Sequence, residues 1–547
     1  MTGDASTHSL SRAKWVRALG VLRPSHAHTA LTATLLLMVS SFLSSVIGLV
    51  RGKYIAWLFG AGPQTDAYLA AFRLPDLMNN FLVGGAVSIT FVTILNRYRE
   101  QGEEAEGERV LSTVLNFVVL LLIVASIALM FLATPYIRRT NPGFAPWQVE
   151  LSAWMTRIIL PGQIFFFAGG VLGATLLVRK QFLFQALTPI VYNLCIIASG
   201  MLFAHRLGIP ALAVGATVGA FVGAFGLNAY GAARAGVHYT WAIDLHHPGL
   251  RLWMKMTLPL MFGFTLPFLD PYFSSFYASH GAGDITRLAN AKQLFSAPMA
   301  MLASAAGVAS LPFFAQLWAK GKRYEFALGV ADSVSRVAAL GLLASSAMAA
   351  LAQPIVGLLF GGGHFTAEDV RTTAVFFALY AFSLFLWSAQ AIYARAFYAA
   401  GITWLPMLSS TIVMVGAFPL YGLGYRWYGT AGLAVASDVG IALQAVMLAV
   451  LLHRRHMVSI ASLDGIEMGR CLVAGLCGGA VVFAARAGLA AMVAQFLTPD
   501  VLNNRWADAA ILILGSVVWM VVTRWVLERT GSALPKVMMQ RLGMEQE

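Results

Sequence analysis

Charge is scarce in this chain. Of 547 residues only 11% are Asp, Glu, Lys or Arg, 59% are hydrophobic, and mean hydropathy is +0.73. A water-soluble domain carries about 25% charged residues, so the composition excludes an ordinary soluble globular protein. Cysteine is nearly absent. Cys195, Cys471 and Cys477 all stand in apolar runs, without the spacing of a metal site or a disulfide framework. Enzyme signatures are missing too: there is no Walker lysine loop, GxSxG elbow or HExxH pair, and no cofactor is expected. "LFGGGHFTAEDV" (359–370) has the glycines of a phosphate loop but reads as a helix end, a glycine turn and a new helix capped by Thr366, with Glu368 and Asp369 in its first turn. His246-His247, just before Pro248, reads as part of a surface loop rather than as ligands. The net charge is +13, yet no soluble basic domain carries it, which argues against a nucleic-acid partner.

What is present is apolar sequence in long runs, among them 31–50, 110–137, 182–204 and 207–233. Many reach the roughly 20 residues needed to cross a bilayer. Hydropathy and its breaks predict an all-α polytopic membrane protein with about 14 spans: 31–59, 65–96, 110–137, 151–178, 182–204, 207–232, 252–279, 284–318, 326–360, 367–394, 402–425, 430–452, 470–494 and 507–527. The first run is too long for a signal-peptide core and is read as a retained helix. Prolines inside the spans (Pro75, Pro161, Pro267, Pro298, Pro354) predict broken helices. An even number of spans puts both termini on one side. That side holds a roughly threefold excess of Lys and Arg, which makes it cytoplasmic.

The chain also repeats itself. Gly60-Ala61-Gly62, Thr65 and Ala70 return in the same spacing as Gly281-Ala282-Gly283, Thr286 and Ala291, an offset of 221. "LATP" at 132–135 returns as "LAQP" at 351–354, and Pro189 as Pro406. Six spans separate the copies, so the repeats are parallel, with a binding site expected between the halves. The expected organisation is a cytoplasmic segment 1–30, an N-lobe 31–232, a cytoplasmic interfacial loop 233–251 and a C-lobe 252–452. A cytoplasmic loop 453–469, two added spans 470–527 and a cytoplasmic tail 528–547 complete it.

Charges inside the spans require an explanation, because each costs several kcal/mol in lipid unless it faces a partner or a polar cavity. Arg51 either snorkels to the far interface, as Lys53 does, or faces a cavity as a bidentate anion binder. Asp66 either caps the helix it begins or belongs to that cavity. Arg73 and Asp76 flank Pro75, and Asn79 and Asn80 extend the polar stretch. The second half supplies Asp270 between two prolines, Lys292 deep in span 8, and Arg395 near the cytoplasmic end of span 10. Asp332 and Arg336 have the spacing of a surface helix pair. Together these predict a cavity with a modest cationic excess and an anionic substrate.

Four stretches carry a resemblance: "GLVRGKYIAWLFGAGPQTDAYLAAFRLPDL" (48–77), "GDITRLANAKQLFSAPMAMLASAAGVASLPFFAQ" (283–316), "GHFTAEDV" (363–370) and "ARAFYAAGITWLP" (394–406). In this order, across nearly the whole chain, they resemble the MurJ/MviN family of lipid II flippases, in a superfamily that also holds multidrug exporters and polysaccharide flippases. The resemblance implies fourteen spans in a bacterial inner membrane and flipping of undecaprenyl-pyrophosphoryl disaccharide-pentapeptide by alternating access. It also implies that Arg51 and Asp66 match charged positions the family needs, with Arg51, Arg73 and Lys292 on the pyrophosphate, Asp66 pairing with Arg51, and spans 13 and 14 forming a groove for the prenyl tail. A coupling ion or the membrane potential would supply energy. Membrane lipids and the cell-wall synthesis machinery would be partners. The chain departs from the family pattern at Ser45, Asn79, Asn80, Gly84, Gln293 and Ser296, where the family carries charge. Three alternatives follow: a flippase for another polyprenyl-pyrophosphate-linked glycan, a cation-coupled multidrug exporter using Asp66, Asp76 or Asp270, or a non-transporting scaffold for a cell-wall assembly complex.

Overall fold

A computed structural model describes residues 30–82, 86–241, 243–261, 266–496 and 505–535. The expected segment 1–30 (save Ala30), Gly84 and the end of the tail lie outside them. Among the described residues there is no strand. The first half supplies α1 (Ala30–Phe59), α2 (Pro63–Ala71), α3 (Arg73–Leu82), α4 (Ala86–Glu100), α5 (Glu104–Thr140), α6 (Pro146–Ile159), α7 (Gly162–Val178), α8 (Leu183–Leu207) and α9 (Pro210–Gly219). A π-helical segment (Ala220–Gly226) leads into α10 (Leu227–Arg234), and α11 (Pro248–Met261) follows. The rest comprises α12 (Leu266–Ala278), α13 (Asp284–Ala319), α14 (Arg323–Ala350), α15 (Ala352–Phe360), α16 (Ala367–Phe382), α17 (Leu384–Ala399), α18 (Trp404–Arg454), α19 (Gly465–Phe496) and α20 (Arg505–Arg529).

Ten stretches among the described residues are long and apolar enough to cross a membrane. The expected spans 65–96, 252–279 and 284–318 fall outside those ten, and 402–425 and 430–452 run together as α18. Only Gly429, at φ +60°, breaks the helical backbone inside α18. Several breaks lie at or beside the expected prolines. Span 65–96 is interrupted at Phe72, so Pro75 sits in the first turn of α3, where its missing N–H costs nothing. Pro161 separates α6 from α7, and Leu351 separates α14 from α15 ahead of Pro354. Pro298, by contrast, lies within continuous α13.

The chain forms two compact units. The first comprises residues up to Arg51, Ala67–Arg139 and Ala145–Gly263. Its core is Phe91, Val110, Val114, Phe167, Val171 and Trp253, supplied by α4, α5, α7 and α11. The paired hydroxyls of Thr90 and Thr257, 3.2 Å apart, fasten α11 to α4, so residues 248–261 pack with the first half. Gly169 on α7 allows the closest approach: a Cβ there would lie 2.1 Å from the Ala224 carbonyl oxygen of the π-segment.

The second unit takes residues 52–66 and 140–144 as well as 264 onward. Its main core joins α13, α14, α17 and α18 through Phe314, Phe326, Val330, Ile392, Phe397 and Leu448. A smaller core of Ala339, Leu343, Cys471, Ala474, Val526 and Leu527 seats α19 and α20 on α14. Large apolar side chains such as Phe42, Phe131 and Met201 are exposed, the pattern of helices solvated by lipid.

At one edge of the first unit, the loop after α10 is strapped to the start of α5. Ser112 Oγ accepts the Thr240 N–H at 3.1 Å and Tyr239 bonds Asn116, while Arg179, just after α7, pairs with Glu108 at 2.9 Å. Burial pushes the Tyr239 phenol upward. His247, expected at the surface, is not there. His246 is exposed, but His247 is buried, its Nε2 2.8 Å from Glu106 and its Nδ1 accepting the Gly249 N–H.

Candidate substrate site

In the first unit, α1, α2, α3, α5 and α8 bring two guanidinium groups, a carboxylate and three phenols into one electrostatic cluster. Arg51 near the end of α1 acts on Tyr68 and Tyr192, and Arg73 acts on Asp76 and Tyr136. Tyr68 is almost fully buried, while Arg51, Arg73, Asp76, Asn79 and Asn80 are half-buried. The interruption at Phe72 starts a new helix at Arg73, which sets Arg73, Asp76, Asn79 and Asn80 along α3 at near-helical spacing. Arg51 Nε and Asn79 Oδ1 are buried without a hydrogen-bond partner among the described residues. With one carboxylate to two guanidiniums, the cluster is net cationic and presents planar donors of the kind that hold phosphate oxygens.

Asp66 belongs to the second unit and is 1% exposed. It caps a different helix from its own. Its carboxylate accepts the N–H of Gly283 at 2.6 Å, the N–H of Thr286 at 2.9 Å and the Thr286 hydroxyl at 2.7 Å, closing the N-terminus of α13. Gly283 adopts φ +82° there, and a Cβ would strike the Ala61 carbonyl at 2.5 Å. The start of α2 is served instead by Thr65, whose hydroxyl accepts the Gly62 N–H at 2.8 Å. Both copies of the Gly-Ala-Gly repeat therefore meet in one junction. Lys53 donates to the Leu358 carbonyl at 2.7 Å.

Asp270 on α12 forms a salt bridge with Lys292 on α13 and accepts a hydrogen bond from Tyr421 on α18. The pair is neutral as a unit. Arg395 is half-buried near the end of α17, beside Tyr398. At the start of α13, Arg287 donates to Asp369 through Nε (2.9 Å) and a terminal nitrogen (2.7 Å), and to Asp284 at 2.9 Å. Asp369 also completes the capping box with Thr366 that the sequence predicts. Asp332 and Arg336 form their exposed pair at 2.7 Å.

The eight candidates thus divide into an N-terminal group (Arg51, Arg73, Asn79, Asn80), a lone helix cap (Asp66), a neutral pair (Asp270, Lys292) and Arg395. Sequence reasoning missed Tyr68, Tyr136, Tyr192 and Tyr421. Tyrosine in a span reads as an apolar or interfacial aromatic, and nothing in the pattern marks its hydroxyl.

Broken helices carrying charged side chains within apolar stretches, on an all-helical multi-span frame, are the build of a membrane transporter. The comparisons specify which kind. The family model described as lipid II flippase MurJ matches residues 55–501. A lipid II flippase MurJ of Burkholderia cenocepacia is 30% identical over 438 residues, covering 77% of this chain and 83% of that one. A probable lipid II flippase MurJ of Vibrio cholerae is 26% identical, covering 76% and 82%. Among solved structures, lipid II flippase MurJ in an inward closed conformation shares the fold at 19% identity, with TM-score 0.73 over 90% of this chain and 99% of that one. A MATE-family multidrug resistance transporter shares it at 14% identity and TM-score 0.61, over 77% and 98%. This chain belongs to the MurJ family of lipid II flippases.

Proposed function

We infer that this chain moves lipid II, the undecaprenyl-pyrophosphoryl disaccharide-pentapeptide precursor of peptidoglycan, from the inner to the outer leaflet of the bacterial inner membrane. Family membership across residues 55–501 carries the reading. The net cationic cluster of the first unit supports it, because a pyrophosphate needs donors that keep their charge in a low dielectric. In this reading Arg51 and Arg73 hold the pyrophosphate, Asn79 and Asn80 add neutral hydrogen bonds, and Lys292 remains tied to Asp270. The chain makes fourteen crossings with both termini in the cytoplasm, as two six-helix repeats plus two added spans. Transport uses no bound cofactor and draws on a coupling ion or the membrane potential. The machinery that consumes the product on the outer face is the expected partner.

Complementation tests this. A bacterial strain depleted of its own lipid II flippase should regain growth on expressing the chain, and should lose it again with Arg51→Ala at equal membrane level. Failure of the well-expressed wild type would reject lipid II. Rescue by Arg51→Ala would keep the assignment but remove Arg51 from the site.

A further inference from the structure

In the first unit, the loop from α10 to α11 carries three exposed large apolar side chains. Trp241 is 88% exposed, and Ile243 and Leu245 follow it at alternate positions, also exposed. The same loop is poor in charge: between Arg234 and Arg251 the chain has no Lys or Arg and a single acid, Asp244. Its course is fixed by α5. His238 Nδ1 lies 3.3 Å from Glu108, the Thr240 backbone reaches Ser112 and Asn116, and His247 comes back to Glu106. The loop therefore climbs α5 from Glu108 to Asn116, about 12 Å of helix, and descends again.

The depth of that summit follows from α5 itself. Asn116 precedes Arg138 by 22 residues, about 33 Å of helix, against a hydrocarbon core of about 30 Å. With Arg138 at one headgroup layer, Asn116 lies at the edge of the other. Leu120, Leu121 and Val124, all exposed, begin one turn further on. The polar groups at the summit are matched as a site without water requires. The Thr240 N–H donates to Ser112 Oγ at 3.1 Å, Asn116 Nδ2 donates to the Thr240 carbonyl at 3.2 Å, and the Tyr239 hydroxyl donates to Asn116 Oδ1. Water would serve these groups in a solvated loop, whereas in lipid each unmet backbone group costs free energy. We propose that residues 239–245 form a wedge inserted into the phospholipid leaflet at the N-terminal end of α5, the inner leaflet in the topology given above. Trp241, Ile243 and Leu245 lie against acyl chains there, with the indole N–H at the level of the ester carbonyls, the setting in which tryptophan collects at membrane interfaces. Without Lys or Arg in the loop, lipid charge does not drive the insertion. The inference rests on the membrane frame and not on the identity of the transported lipid, and none of these residues belongs to the cationic cluster.

Spin labels on the full-length protein, in nanodiscs of defined lipid and with no other protein present, test this. Trp241→Cys, Ile243→Cys, Asp244→Cys, Leu245→Cys and His246→Cys each carry one nitroxide, in a background of Cys195→Ala, Cys471→Ala and Cys477→Ala. The readout is collision with oxygen, which concentrates in lipid, against collision with a water-soluble nickel chelate. The oxygen-to-nickel ratio should be higher by roughly tenfold or more at 241, 243 and 245 than at 244 and 246. It should be the same in phosphatidylcholine alone and in a mixture with phosphatidylglycerol. A ratio at 241 equal to that at 246 would overturn the proposal and give the three side chains to a soluble protein partner. Insertion only in the presence of phosphatidylglycerol would overturn it too, since charge would then be the driving force. If the labelled variants fail to fold, hydroxyl-radical footprinting of the wild type in nanodiscs decides. Trp241 should then be oxidised as slowly as the buried Trp253, and faster oxidation of Trp241 would reject the wedge.

Discussion

Replacing Asp66 should release the start of α13 while leaving its own helix undisturbed. The carboxylate is buried and accepts three hydrogen bonds, from the Gly283 and Thr286 amides and the Thr286 hydroxyl. Each bond to a charged acceptor contributes about 1.5–3 kcal/mol, and an anion at a helix N-terminus gains up to about 2 kcal/mol more from the dipole. These terms overlap, so Asp66→Ala should cost about 3–5 kcal/mol locally. Asp66→Asn keeps one oxygen as an acceptor and should cost about 1–2 kcal/mol. Amide exchange reads this directly. At 1.4 kcal/mol per tenfold, exchange at Gly283 and Thr286 should accelerate about 100- to 4000-fold in the alanine variant and about 5- to 30-fold in the asparagine variant. Peptides over residues 62–67 should hardly change, because Thr65 serves that turn. Unchanged exchange over 281–288 in Asp66→Ala would refute the capping assignment, and acceleration confined to 62–67 would return Asp66 to its own helix.

Three further outcomes are expected. Arg287→Ala strands the buried Asp369 and should cost about 3–5 kcal/mol, with Arg287→Lys intermediate because one ammonium cannot bridge Asp369 and Asp284 together; thermal unfolding in detergent gives the order. Gly169→Ala drives a methyl into the Ala224 carbonyl and should lower the unfolding midpoint by an overpacking cost of about 1–3 kcal/mol, whereas Gly416→Ala, with open space around it, should not. Asn79→Arg or Asn80→Arg should reach normal membrane levels and bind the lipid-linked precursor more tightly, since a charge-assisted hydrogen bond is roughly twice as strong as a neutral one; a loss of yield in both would mean that they face lipid, where an arginine costs about 2.5–3.5 kcal/mol.

The parts of the molecule governed by local rules were legible in the sequence. Apolar runs become helices because a bilayer leaves the backbone no other partner, and the Thr366–Asp369 cap follows from four adjacent residues. Prolines indicated where helices stop, though Pro298 did not stop α13. The break at Ser383 had no such mark: its hydroxyl and N–H both turn to the Tyr380 carbonyl, a choice set by packing rather than by residue type. The candidate site was legible as a set of costly charges, not as a set of partners. Asp270 and Lys292 were each visible, but their pairing and the Tyr421 hydroxyl depend on which faces α12, α13 and α18 turn to one another. His247 was misjudged for the same reason, since only the fold brings Glu106 beside it.

The bond from Gly283 to Asp66 spans 217 residues of chain. At roughly 5–20 residues per second of synthesis, the second partner emerges on the order of 10–40 s after the first. During that interval the first hairpin is already in the membrane with a carboxylate whose three donors have not yet been made. The nascent protein must keep this acid hydrated, or hold it with an insertion factor, until α13 arrives. A stalled or truncated chain ending before residue 283 would expose that carboxylate, and quality-control proteases would have a chemical mark of unfinished assembly to read.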